Sequence, residues 1–212
     1  MQMKHVWIGG ILILLTGALT LANQQELLGQ SATVDAPHKF PPHSFLNNLD
    51  GVNLIDQHGR PFEPADLINH VVLFNFIFTN CPATCPMQTK ILADIFRGLP
   101  ENVRSEVRFI SVSIDPVNDT PDRLRDFSKT MNADLDGWVF LTGDPAQIDK
   151  LTERLHIFDE SETGETNKPQ IHRTSLWLVD KQGRMLQRYR GDPPNKERLG
   201  RELAQVSRMK IH

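Results

Sequence analysis

HVVLFNFIFTNCPATCPMQTK, His70 to Lys90, joins two kinds of sequence. Its first ten residues are nearly all apolar and rich in β-branched and aromatic side chains. Such a continuous run predicts a central strand covered on both faces. Directly behind it stand the only two cysteines of the chain, Cys81 and Cys85, each followed by a proline, Pro82 and Pro86. Met87, Ile91, Leu92, Ile95 and Leu99 then recur at helical spacing up to Pro100, so Met87 reads as part of a core-facing stripe. Pro86 reads as the first helical residue, where its missing N–H would be unpaired anyway.

Outward from this unit the same grammar repeats. EVRFISVSID (Glu106–Asp115) is a second buried strand, and Thr120-Pro121 opens a helix with a capping residue and a proline. WVFLTG (Trp138–Gly143) reads as a strand, and Asp144-Pro145 repeats the helix-start signal before AQIDKLTERLHIF. After a polar loop, Asp159–Gln170, the strands HRTSLWLVD and RMLQRYRG form a hairpin about the turn KQG, and a final helix follows. On the N-terminal side, FLNNLDGVNLIDQHGRPF (Phe45–Phe62) reads as a short β-hairpin with turns at Asp50-Gly51 and His58-Gly59. Alternating strands and helices imply parallel central strands, while the late tight hairpin demands an antiparallel strand. The expected fold is α/β and thioredoxin-like: a mixed central sheet flanked by helices, with an N-terminal β-hairpin extension and an inserted helix.

With 212 residues the chain is long enough to bury a core without a disulfide staple. A formal net charge of −3, scattered Lys and Arg and few aromatics give no footprint for nucleic acid. Val6–Ala22 is a run of 17 residues without a charge, preceded by Lys4, and at 1.5 Å per residue reaches about 25 Å. It reads as an uncleaved membrane anchor or as a signal peptide cut near Thr20-Leu21-Ala22. A buried core helix is the plainer alternative. Residues 23–42 are polar and proline-bearing and read as a flexible tether, which leaves 43–212 as the folded domain. The favoured location is a bacterial inner membrane, with the N-terminus cytoplasmic and the domain in the periplasm, where thiols can be oxidised.

Strands ending at Thr79 and Asp115 deliver their loops to one edge of the sheet, where open α/β folds bind ligands. An antiparallel strand beginning at His172 starts at that edge, so Cys81, Cys85, Asp115 and His172 are expected together. Three readings of the cysteines stand open. A structural disulfide would close a very short loop for little entropic benefit. In a redox pair, the start of the helix would stabilise a Cys85 thiolate. As half of a metal site, two thiolates and an imidazole suit copper, as Cu(I) or Cu(II), better than structural zinc with its four protein ligands.

FNFIFTNCPATCP, SIDPVNDTP and HRTSLWLVD together resemble the SCO/SenC family of membrane-anchored, thioredoxin-fold copper proteins, over about Phe45 to Met209. The resemblance implies copper bound by Cys81, Cys85 and His172 in a metallochaperone. It also implies a role in maturing the dinuclear copper site of cytochrome c oxidase, as copper donor or as thiol reductant. Partners would be the oxidase subunit carrying that site or another periplasmic copper protein. The alternative is a thiol–disulfide oxidoreductase in which Cys81 and Cys85 are catalytic and cycle through a disulfide, recharged by a thioredoxin-like reductant. Where many members carry Asp before the late histidine, this chain has Ile171. Asp115 and Asp119 read as turn and capping residues or as residues that support the site or dock a partner. His156 reads as a cation in the last turn of a helix, and His38 and His43 as tether residues.

Overall fold

The computed structural model describes residues 43–157, 175–190 and 194–209 of the 212, all within one unit, Lys39–His212. Three parallel strands form the centre of a six-stranded sheet: β2 (Val71–Ile77), β3 (Val107–Ser113) and β4 (Trp138–Gly143). A short strand β1 (Leu54–Asp56) pairs antiparallel with β4 at one edge. At the other edge β5 (Ser175–Val179) runs antiparallel to β2 and β6 (Met185–Arg190) antiparallel to β5. The mixed sheet is the one expected from the order of elements, and all seven residues of β2 are buried, in keeping with a run that is apolar but for Asn75.

Both parallel crossovers step in the same direction across the sheet, and right-handed crossovers then place their helices on one face. These are α1 (Thr84–Gly98), followed by the single turn α2 (Glu101–Arg104), and α3 (Pro121–Thr130). Ring contacts agree. Phe96 of α1 meets Phe109 edge-on at 4.9 Å, Trp138 stacks on Phe140, and Phe127 of α3 reaches Phe140. The final helix α5 (Lys196–Ser207) packs beside α1. On the other face, α4 (Pro145–Arg154) packs by a 3-10 turn at Leu46–Leu49.

The helix starts at Thr120 and Asp144 follow the sequence reading, each cap oxygen taking an amide of the first turn, from Arg123 and Ala146 respectively. Other expectations need correction. Helix α1 begins at Thr84, which places Pro86 third, still inside the turn whose amides have no helical partner. The N-terminal hairpin is reduced to β1 and one bridge between Ile55 and Pro61. Its first half is the 3-10 turn, where the Asn48 side chain donates to the Phe45 carbonyl at 2.8 Å and competes with strand pairing.

One turn chemistry occurs twice. In Asp56-Gln57-His58-Gly59-Arg60 and in Asp180-Lys181-Gln182-Gly183-Arg184 the aspartate accepts the amides of the residues two and four ahead and the arginine guanidinium, while the glycine sits at positive φ. The first fixes the end of β1, the second joins β5 to β6. Against the second, the chain enters the domain: His43 N–H donates to the Gln182 carbonyl at 2.6 Å and Phe45 N–H to Gly183 at 2.9 Å.

A buried polar chain crosses the α1 face. Asn75 of β2 donates to Gln88 of α1 at 2.9 Å, Ser111 of β3 donates to Asn75 at 2.7 Å, and the Trp138 indole donates to Ser111 at 3.0 Å. Four elements are thereby held in register behind the cysteine loop.

Candidate functional site

Strands β2 and β3 end side by side, Ile77 opposite Ser113, and their following loops share one edge of the sheet. The first loop carries the cysteines, both free thiols. Cys81 N–H donates to the Phe78 carbonyl at 3.2 Å, turning the chain sharply after the strand. The helix that follows has no side-chain cap from Ala83. Instead the Cys85 N–H, one of the unpaired donors of the first turn, points at the Cys81 sulfur at 3.3 Å. Cys81 is half-buried and within reach of solvent; Cys85 is 1% exposed and belongs to the core.

In the redox reading the helix start stabilises a Cys85 thiolate, and burial acts against it. Burial pushes the Cys85 thiol well up from its ordinary pKa. A backbone hydrogen bond at Phe78 opposes that shift, while Cys81 and the Asp119 carboxylate reinforce it. Desolvation is the largest of these influences. The helix start serves Cys81, whose sulfur receives the amide.

Asp119 is wholly buried between the two loops. It accepts the Thr79 N–H at 3.0 Å, the Thr79 hydroxyl, and the Ser113 hydroxyl at 2.6 Å. The carboxylate thus clamps the end of β2, two residues before Cys81, to the end of β3. A second bridge lies outside it, where Arg123 of α3 donates to Asn80 at 2.7 Å. Asp115 has the local role: its carboxylate takes the Asn118 amide at 2.9 Å and its N–H donates to Ser113. Sequence reading named both aspartates but not Thr79 or Ser113. The signal for Ser113 was there, as one of two hydroxyls, with Ser111, in a strand whose other residues are apolar apart from Arg108.

Met87 corrects another expectation. It is 43% exposed on the outer side of α1, while Cys85, Gln88, Thr89, Leu92 and Phe96 face inward. His156 falls two residues beyond the end of α4 at φ 49°, exposed, rather than in the last helical turn. His43 stands at the β5–β6 turn. That turn adjoins the start of β2, since Val179 pairs with Val72, so His43 is at the pole opposite the cysteines. His38, His172 and the segment Val6–Ala22 lie outside the described residues. Strand β5 begins at Ser175, three residues after His172, at the edge where β2 ends. Among the described residues no group of three His, Cys, Asp or Glu side chains is placed to hold a metal ion, and no helix is long and apolar enough to cross a membrane.

Two free thiols at the switch from strand to helix, on the carboxyl edge of a mixed sheet, define a thioredoxin-like dithiol protein. The SCO1/SenC family model matches residues 51–208, and the chain belongs to that family. A SCO1 protein homolog of Bacillus subtilis is 34% identical over 166 residues, covering 77% of this chain and 79% of its own. A Stutzerimonas stutzeri relative whose name carries copper binding is 28% identical over 156 residues, 73% of this chain and 74% of its own. The solved structure of BsSco, described as a member of the Sco family of cytochrome c oxidase assembly proteins with a disulfide switch, matches at a TM-score of 0.58 and 29% identity. It covers 74% of this chain and 92% of that one.

Proposed function

We propose that this protein is a membrane-tethered copper-binding protein that delivers copper to the dinuclear copper site of cytochrome c oxidase. Cys81, Cys85 and His172 hold the ion. The observation that carries the reading is the placement of the two thiols on consecutive sides of one helix start, 3.3 Å from Cys81 sulfur to Cys85 amide. That sulfur pair is soft and lies at the edge of the sheet where β2 ends and β5 begins. Soft thiolates with an imidazole favour copper, and three ligands leave a side open for exchange with target thiolates. The copper-binding relative and the oxidase-assembly description of BsSco support the same assignment. In this reading residues 1–22 anchor the chain in a bacterial inner membrane, 23–42 are the tether, and 43–212 are the periplasmic domain.

The test is an anaerobic Cu(I) titration of the reduced chain against a competing chelator, with His172→Ala alongside. One ion per chain, and a loss of affinity in the variant beyond the roughly 10–100-fold that removal of a merely supporting partner costs, is the expected result. Wild-type protein that competes for no copper overturns the assignment.

A second reading rests on the unequal exposure of the thiols. Half-buried Cys81 is accessible to a target disulfide, while Cys85, one turn on and buried, is placed to resolve. The Cys81 thiolate would attack one target sulfur and release the other as a thiolate. Cys85 would then attack the Cys81 sulfur, freeing the second target thiol and leaving a Cys81–Cys85 disulfide. Two electrons pass to the target, and a thioredoxin-like dithiol must return them.

A further inference from the structure

Asp119 is 0% exposed, and no cation pairs with it among the described residues. The Thr79 amide can only donate to it. Ser113 Oγ accepts the Asp115 N–H at 3.0 Å and donates to Asp119 at 2.6 Å. Three neutral donors offset part of the desolvation of a buried charge, and none cancels its field. That field falls on the dithiol. Thr79 follows Phe78, whose carbonyl takes the Cys81 N–H and whose backbone bonds to Cys85.

Two thiolates around a singly charged ion leave a net charge of −1; around a doubly charged ion they leave none. A fixed negative charge beside the site penalises the first complex and not the second. We propose that Asp119 sets the charge selectivity of the Cys81–Cys85 site, its buried carboxylate favouring doubly charged ions over singly charged ones. The proposal rests on the reading that the two thiols hold a metal ion. For copper it means that Asp119 draws the bound ion toward Cu(II).

Ag(I) and Cd(II) test this without redox chemistry, since both seek thiolates and neither changes valence. Their affinities are measured by competition for the reduced chain, wild type, Asp119→Asn and Ser113→Ala. The Asn side chain is close in shape: its oxygen keeps the Thr79 hydroxyl and the longer 3.3 Å bond from the Thr79 N–H, while its amide donates to Ser113 Oγ in place of the oxygen that took the 3.0 Å bond. The Cd(II)/Ag(I) affinity ratio is expected to fall about tenfold in Asp119→Asn, and to change less than about twofold in Ser113→Ala, which keeps the charge. An unchanged ratio in Asp119→Asn, or an equal fall in Ser113→Ala, overturns the proposal. Should Asp119→Asn not fold, Val117→Lys puts a cation on the same loop at a position 76% exposed. It is expected to lower the ratio about two- to threefold, and an unchanged ratio there counts equally against the proposal. Wild-type protein that binds neither ion overturns the metal-site reading itself, a result distinct from an unchanged ratio.

Discussion

The Cys85 N–H points at the Cys81 sulfur from 3.3 Å, so the first thiol caps the helix that carries the second. Serine at position 81 presents an oxygen, a better acceptor for a helix-start amide. At position 85 the same exchange places a hydroxyl where the thiol packs as a small hydrophobe. Cys81→Ser is therefore expected within about 0.5 kcal/mol of wild type in denaturant unfolding. Cys85→Ser is expected to lose about 1–2 kcal/mol. Neither variant is expected to retain copper after dialysis, and retention of one ion per chain by either one refutes the proposed ligand assignment.

His172 separates the two functional readings. A dithiol reductase has no obligatory use for an imidazole, whereas the copper site loses one of three ligands without it. His172→Ala is expected to reduce a model disulfide at a rate within about twofold of wild type while its copper affinity collapses. Intact copper affinity with lost reductase activity would reverse the order of the two readings.

The twin turns give a matched pair of glycines. Gly59 and Gly183 share a left-handed φ, 76° and 73°, but differ in surroundings. A Cβ on Gly59 meets nothing within 4 Å, while one on Gly183 meets Leu46 Cδ1 at 2.9 Å and His43 Cα at 3.0 Å. Gly59→Ala is expected to cost about 1 kcal/mol from backbone strain alone. Gly183→Ala adds a backbone clash and should cost about 2–3 kcal/mol. Equal losses in thermal or denaturant unfolding would show that the N-terminal segment yields freely.

Asp56 supplies a pH dependence. Burial works to raise its pKa, but the Arg60 backbone and side-chain hydrogen bonds and the His58 amide outweigh it, and the net direction is down. Arg60 is 71% exposed, so its charge is screened and the hydrogen bonds carry most of the effect. A carboxyl with a depressed folded pKa contributes stability above its unfolded value of about 3.9, and that contribution fades as pH falls through the folded value. Asp56→Ala is thus expected to cost about 1–2 kcal/mol at pH 7 and progressively less in the acid range. A difference from wild type that stays constant down to pH 3 would contradict the assignment.

How much of this was legible follows from which forces act locally. A nearly apolar run rich in β-branched and aromatic residues favours a strand buried on both faces, so β2 was readable, as were the caps at Thr120 and Asp144. Met87 was misplaced because spacing fixes the period of a helix but not its phase. The inner side is claimed by Gln88 and Thr89, polar residues that rank low for burial. Gln88 is buried because Asn75 meets it across the interface, a partner 13 residues away that no local pattern reveals. The clamp around Asp119 was half legible: a DxxxDTP loop shows an aspartate before a cap, not that it turns inward to bind Thr79, 40 residues earlier.

The chain joins the domain at the pole opposite the cysteines, where His43 and Phe45 bond to Gln182 and Gly183. β2, about 23 Å at 3.3 Å per residue, separates that junction from the cysteine loop. Phe45, Leu46 and Leu49 are buried, so the folded domain must keep everything from His43 onward. Deleting residues 1–42 is expected to leave unfolding within about 0.5 kcal/mol of the whole chain and copper affinity unchanged. A cut past Leu49 removes three core side chains and should unfold the domain. In the proposed reading the anchor contributes something else: confinement near membrane-bound clients, which raises effective concentration without adding a contact. An exported, unanchored form is therefore expected to bind copper yet support oxidase assembly poorly at native abundance and recover when overproduced. Oxidase activity and copper content measured in the same cells decide this, and full activity at native abundance would argue against a membrane client.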